Sequence, residues 1–228
     1  MSIEPSALLK LLRIASPALP VGAFSYSQGL EWAVECGVVT DEDTAGQWIG
    51  SLLSGSIARF EMPMLAAFYR VWSDNDSALA ADLNEDYLAS RETAELRSES
   101  IQMGGALLAV LQSDGQHEPA VLDAVGAIDH VVFPNVFAFA AATWNLQLED
   151  VLTTYAWSWL ENQVTAAMKL VPLGQRAGQR LLAGMSPACA EAMRTAVSLP
   201  KDGWSNFAPL FAIASSRHET QYTRLFRS

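Results

Sequence analysis

The chain has 228 residues, half of them hydrophobic and 17% charged, enough apolar material for one generous domain or two small ones. Its formal net charge of −11 opposes nucleic-acid binding, which needs a basic face. Its two cysteines, Cys36 and Cys189, lie far apart; no disulfide framework is indicated, a reducing cytoplasm is the natural home, and both read as small buried hydrophobes.

In chain order the signals are helical almost throughout. Leu8, Leu9, Leu11 and Leu12 form a first apolar stripe, ended by Pro17, Pro20 and Gly22, which cannot continue a helix. Lys10 and Arg13 fall inside this stripe rather than ahead of it, unlike a secretory signal. Ser25 followed by Gln28 reads as a capping box for a helix through Leu30 and Val34 that stops at Gly37. Thr40 with Asp41, Glu42 and Asp43 starts the next helix, whose stripe is Trp48, Ile49, Leu52 and Leu53. Pro63 marks a break or a new first turn before a helix at 64–72. A long helical stretch over 78–111, interrupted once, precedes a polar loop at 113–119.

Further helices are expected at 120–132, 135–143, 149–170, 173–184 and 187–197. Residues 131–148 hold no charged side chain and reach the length at which a membrane span must be considered. Pro134, Asn135, Asn145 and Gln147 interrupt the stretch and its flanks are acidic, so it reads as a buried core helix with no membrane role. Residues 200–209 are irregular, and the tail from 213 to 228 is left open between a helix and a segment that a partner orders. With no alternating strand pattern and no repeat, the expected fold is all-α, a single-domain bundle of roughly eight to ten helices over 1–228.

Charge is unevenly placed. Residues 1–97 carry 6 basic and 14 acidic side chains, residues 98–168 carry none and 8, and residues 169–228 carry 8 and 3. This is either an ordinary solvated surface or a positive C-terminal end offered to an acidic partner. The chain shows no phosphate-binding loop, no dinucleotide fingerprint and no nucleophile elbow. His117, His130 and His218 stand at no metal-ligand spacing from one another or from a cysteine, so no catalytic residue, cofactor or metal site is assigned. Trp157 and Trp159 lie on different faces of one helix; one is expected in the core, while the other is either core or interface.

Several blocks resemble the UreF family of urease accessory proteins. The first is Leu11-Leu12-Arg13-Ile14-Ala15-Ser16-Pro17-Ala18-Leu19-Pro20-Val21-Gly22 followed by Phe24-Ser25-Tyr26-Ser27-Gln28-Gly29-Leu30-Glu31. The second is Arg91-Glu92-Thr93-Ala94-Glu95-Leu96-Arg97 with Gln102-Met103-Gly104. The third is Trp159-Leu160-Glu161-Asn162-Gln163 with Lys169-Leu170-Val171-Pro172-Leu173-Gly174-Gln175. The last is the closing run from Arg217-His218-Glu219-Thr220 to Arg227-Ser228. Ala23 departs from the family's repeated glycine, and residues 113–134 match least.

The resemblance implies an all-helical, dimeric, non-enzymatic scaffold. Such a protein binds the accessory protein UreD (UreH in some species) and the GTPase UreG, and meets apo-urease to support GTP-dependent nickel insertion. An alternative is a regulator of GTP hydrolysis by UreG, supplying a cation in trans; an unrelated helical hydrolase is the third reading. Resemblance and residue type together make partner-binding candidates of Arg91, Arg97, Lys169, Gln175 and Arg176. In the tail the candidates are Arg217, Tyr222, Arg224, Phe226 and Arg227. The tail is expected to bind UreD and to be removable without disturbing the helices.

Overall fold

The computed structural model describes residues 3–228, and those residues contain helices and turns but no strand. Helix α1 (Pro5–Ala15) opens with a proline, and the Glu4 carboxylate accepts the backbone N–H groups of Ser6 and Ala7. These are two of the donors that a helix start leaves free. The helix buries Leu11 and Ile14 and stops with an extended Ser16, as the following proline requires.

A turn then leads to α2 (Leu30–Glu35). Gln28 and Gly29 have φ of 53° and 76°, so Ser25 and Gln28 do not form the expected capping box. Gly29 is also a point of close approach, because a Cβ there would stand 3.0 Å from the Ala214 Cβ. Helix α3 (Glu42–Leu52) starts one residue later than expected. Asp41, not Thr40, is the cap, accepting the Thr44 N–H while the Thr44 hydroxyl accepts the Asp41 N–H.

Pro63 does not break the chain. The backbone passes from α3 through a π-helical segment (Leu53–Glu61) into α4 (Met62–Ser73). The proline lies in the first turn of α4, where a missing N–H costs little. Helices α5 (Ser77–Ala89) and α6 (Ala94–Ser113) are separated by the one expected interruption and capped by Asp76 and Thr93. Helix α7 (Pro119–Gly126) ends earlier than its apolar pattern. The turn after it, with His130 at φ 48°, is held by the buried Asn84, which accepts the Val132 N–H and donates to the carbonyls of Asp129 and His130.

The centre is α8 (Phe133–Thr143), packed between α4 and α6 and buried from Pro134 to Ala142. Its 11 residues span about 16 Å, well short of the ~30 Å of a bilayer core. No helix among the described residues is long and apolar enough to cross a membrane. Gly104 of α6 lets α8 begin where it does: a Cβ there would overlap the Val131 carbonyl oxygen and stand 2.7 Å from the Val132 carbonyl carbon.

Helix α9 (Leu148–Leu170) runs beside α10 (Gln175–Ser198). The two expected helices at 173–184 and 187–197 are one, continuous through Pro187. Proline removes the donor to the carbonyl four residues back, and the Ser186 hydroxyl donates to that Ala183 carbonyl at 3.1 Å instead. Helix α11 (Pro209–His218) packs on α2, and residues 219–228 are non-helical. Cys189 is buried, which pushes its thiol up to about 11, whereas Cys36 is exposed and is not the core residue expected.

Candidate partner-binding surface

The resembling blocks, scattered in sequence, meet in space. The Gln28 side chain donates to Glu99 of α6 at 2.7 Å and accepts from the Trp159 indole of α9 at 2.8 Å. The Tyr26 hydroxyl donates to Gln102 at 2.9 Å, and Asn162 donates to the Tyr26 carbonyl at 3.1 Å. Trp159 is thus the inward tryptophan, while Trp157 is half-buried.

The tail is laid across this junction. The Ser27 N–H donates to the Ser228 carbonyl at 2.8 Å, and the Arg227 N–H donates to the Ser25 carbonyl at 2.8 Å. Glu31 accepts the backbone N–H groups of Leu225 at 2.6 Å and Phe226 at 2.8 Å. His218, fully buried, sits between two carboxylates, with Nδ1 2.7 Å from Glu95 and Nε2 3.2 Å from Glu31. Glu219 accepts the Ala94 and Glu95 N–H groups at the start of α6, where four donors lack helical partners. Glu99 accepts the Ser228 hydroxyl at 2.7 Å, and burial pushes its carboxyl from 4.5 up to about 7.

Most predicted residues fall on the outside of this junction. Lys169, in the last turn of α9, is exposed, its ammonium 5.9 Å from the Phe24 ring centroid and 5.5 Å from that of Phe226. Gln175 and Arg176 are exposed at the start of α10, and Arg97 is exposed on α6. Arg217 and Tyr222 are exposed, Tyr222 at 103% of its reference area. Arg224 pairs with Glu95 at 2.6 Å, and Arg227 donates to Gln102 at 3.3 Å.

Two candidates are interior. Phe226 is 5% exposed, so it fixes the tail rather than presenting itself. Arg91 is 7% exposed; it is removed from the docking candidates. Its guanidinium pairs with Glu61 at 3.2 Å and lies 4.3 Å from the Tyr87 ring centroid. Glu61 also accepts the Tyr155 hydroxyl. A cation this deep is held by a carboxylate and aromatic faces because burial removes most of its hydration. The tail is packed against the body rather than loose, since Phe226 and Ser228 are buried.

Sequence reasoning did not single out Glu31, Glu95 and Glu99. Glu95 and Glu99, four apart on one helix, carry a readable signal of a shared acidic face; Glu31 carries none. Among the described residues no group of three or more His, Cys, Asp or Glu side chains is disposed to hold a metal ion.

Comparison with known proteins gives the family of the chain. The UreF family model matches residues 39–186. The urease accessory protein UreF of Azoarcus sp. (strain BH72) is 53% identical over all of both chains. That of Dechloromonas aromatica (strain RCB) is 52% identical over 97% of each, and that of Methylobacillus flagellatus is 45% identical over 97% of this chain and 98% of its own. The chain belongs to the UreF family of urease accessory proteins.

Proposed function

We propose that this chain is a non-catalytic scaffold of urease maturation in the cytoplasm. In this reading it joins UreD (or UreH) and the GTPase UreG on apo-urease as a homodimer and supports GTP-dependent nickel insertion. The observation that carries the reading is the state of the C-terminal cations. Arg180, Arg194 and Arg224 are paired with Glu42, Glu191 and Glu95. Lys169, Arg176, Lys201, Arg217 and Arg227 have no carboxylate within salt-bridge distance among the described residues. In a protein of net charge −11, exposed C-terminal cations without a carboxylate partner, Lys169 among them beside the exposed Phe24 ring, suit an acidic partner surface with aromatic contacts.

The test is co-purification of UreD, UreG and this chain from one strain, with light scattering of the isolated chain. Loss of UreD and UreG from the purified complex, or a monomer at tens of micromolar even with UreD bound, would refute the scaffold or the dimer. Exposed Lys169 and Arg176 also keep the second reading open, a regulator that contributes a cation to UreG. GTP turnover by UreG with and without this chain separates the two: unchanged turnover leaves the scaffold alone.

A further inference from the structure

Behind the docking surface a cavity of about 130 Å³ lies between the α1–α2 connection, α6 and α9. Its accessible end carries Phe24, 62% exposed, with half-buried Ser158, Glu161 and Asn162. Much of the wall is apolar, with Val21, Leu96 and Met103 among its side chains. The buried part of the lining also carries polar side chains, Glu61, Tyr87, Arg91, Glu99, Ser100 and Tyr155.

The charges there do not balance. Arg91 is neutralised by Glu61. Glu99 receives neutral donors from Gln28 and Ser228 and has no cation within salt-bridge distance among the described residues. The Ser100 hydroxyl, buried in the same wall near the Tyr87 hydroxyl, makes no hydrogen bond of normal geometry, a state that buried polar groups rarely keep. An apolar wall leading to one unpaired carboxyl and one unpartnered hydroxyl describes a ligand with an aliphatic stem and a cationic, hydrogen-bond-donating head.

We propose that this cavity is a socket for a lysine side chain presented by a docking protein. The four-carbon stem suits the apolar wall. The ammonium is a compact head with three donors that Glu99 and Ser100 can accept, whereas a guanidinium fork asks for both carboxylate oxygens in one plane, and both already hold other donors. A metal ion is a poorer occupant, for want of a third ligand of the usual kinds. Burial holds the Glu99 carboxyl near the point of taking up a proton, and an arriving ammonium would favour its ionised form. The inference goes beyond the docking role above and does not depend on which accessory protein binds.

The free form of the side chain, n-butylammonium, provides the test. It is titrated into the ¹⁵N-labelled full chain at fixed ionic strength, with uncharged n-butanol in parallel. The Trp159 indole and Gln28 side-chain amide, both in the cavity wall, report binding. Saturable shifts with n-butylammonium are expected, at least ten-fold weaker with n-butanol and at least ten-fold weaker in Glu99→Gln. Ser100→Val, which removes the hydroxyl and fills the space, should give the same loss and serves alone if the Glu99 variant does not fold. Equal response to n-butanol, an undiminished response in the variants, or displacement of the amine by Mg²⁺ would overturn the proposal. Because the probe acts on the isolated chain, its failure is distinct from a failure to bind UreD or UreG.

Discussion

Glu99 holds its carboxyl inside the protein, and burial pushes that group from 4.5 up to about 7. An acid whose folded value lies above its unfolded one keeps its proton more tightly in the fold. Its contribution to stability is therefore full below about 4.5 and is lost as pH rises through about 7. The loss is at most roughly 3 kcal/mol. The melting temperature should fall across that window, and Glu99→Gln should flatten the fall; an unchanged slope in calorimetry would refute the assignment. Arg91 gives the converse case. Arg91→Leu leaves Glu61 charged and buried, at a cost of about 3–5 kcal/mol, and adding Glu61→Gln should return part of it in urea unfolding. Neither role was legible beforehand. A lone glutamate or arginine in a helical pattern reads as solvated, and only the fold reveals that α6, α9 and the π-helical segment close over it. The two carboxylate neighbours of His218 are more than 120 positions away in sequence, beyond the reach of any local pattern.

Helices of the chain were largely legible because caps and apolar spacing are local. The acidic start at Asp41–Asp43 and the stretch that forms α9 needed no tertiary knowledge. Where expectation failed, a tertiary partner or a compensating local bond decided the outcome. Pro187 stays helical because Ser186 takes over the freed carbonyl, whereas Pro63 takes the first-turn position that was one of its two expected readings. Two adjacent glycines of α6 make this distinction measurable. Gly104→Ala would drive a methyl group into the backbone of Val131 and Val132, which cannot yield as a side chain can, so a loss of at least about 1–3 kcal/mol is expected. Gly105 has nothing within 4 Å of its would-be Cβ, so Gly105→Ala should stabilise by roughly 0.5–1 kcal/mol, through helix propensity alone. Equal melting temperatures for the two variants would refute the packing account. The tail is an element in the same sense. Removing residues 219–228 strips two N–H donors from buried Glu31 and one hydroxyl from Glu99, so the shortened chain should melt several degrees lower while staying helical in circular dichroism.

The whole molecule divides its charge so that an acidic body is followed by a basic C-terminal quarter, and that division was plain in the sequence. Its meaning was not, because pairing depends on the fold: Arg180 and Arg224 are tied to Glu42 and Glu95, while Lys169 stays free beside Phe24 and Phe226. Two forces hold Lys169 where it is. The α9 dipole favours a cation in its last turn by about 0.3–1 kcal/mol, and the aromatic faces add about 0.5–1 kcal/mol at an exposed site. If those were its only roles, Lys169→Ala would lower the melting temperature slightly and otherwise pass unnoticed. An ammonium held for an acidic group on UreG or urease behaves differently, since truncating a partnered interfacial charge costs about 2–5 kcal/mol and reversing it costs more. Lys169→Glu should therefore cripple UreG recruitment and urease activation, while melting temperature and UreD binding stay near those of the native chain. Lys169→Arg keeps the charge and should retain most of the activity. Normal urease activation by Lys169→Glu would reduce the residue to a helix-end cation; loss of UreD binding in step with UreG would instead mean that the Phe24–Lys169–Phe226 contact holds the tail and through it the entire docking surface.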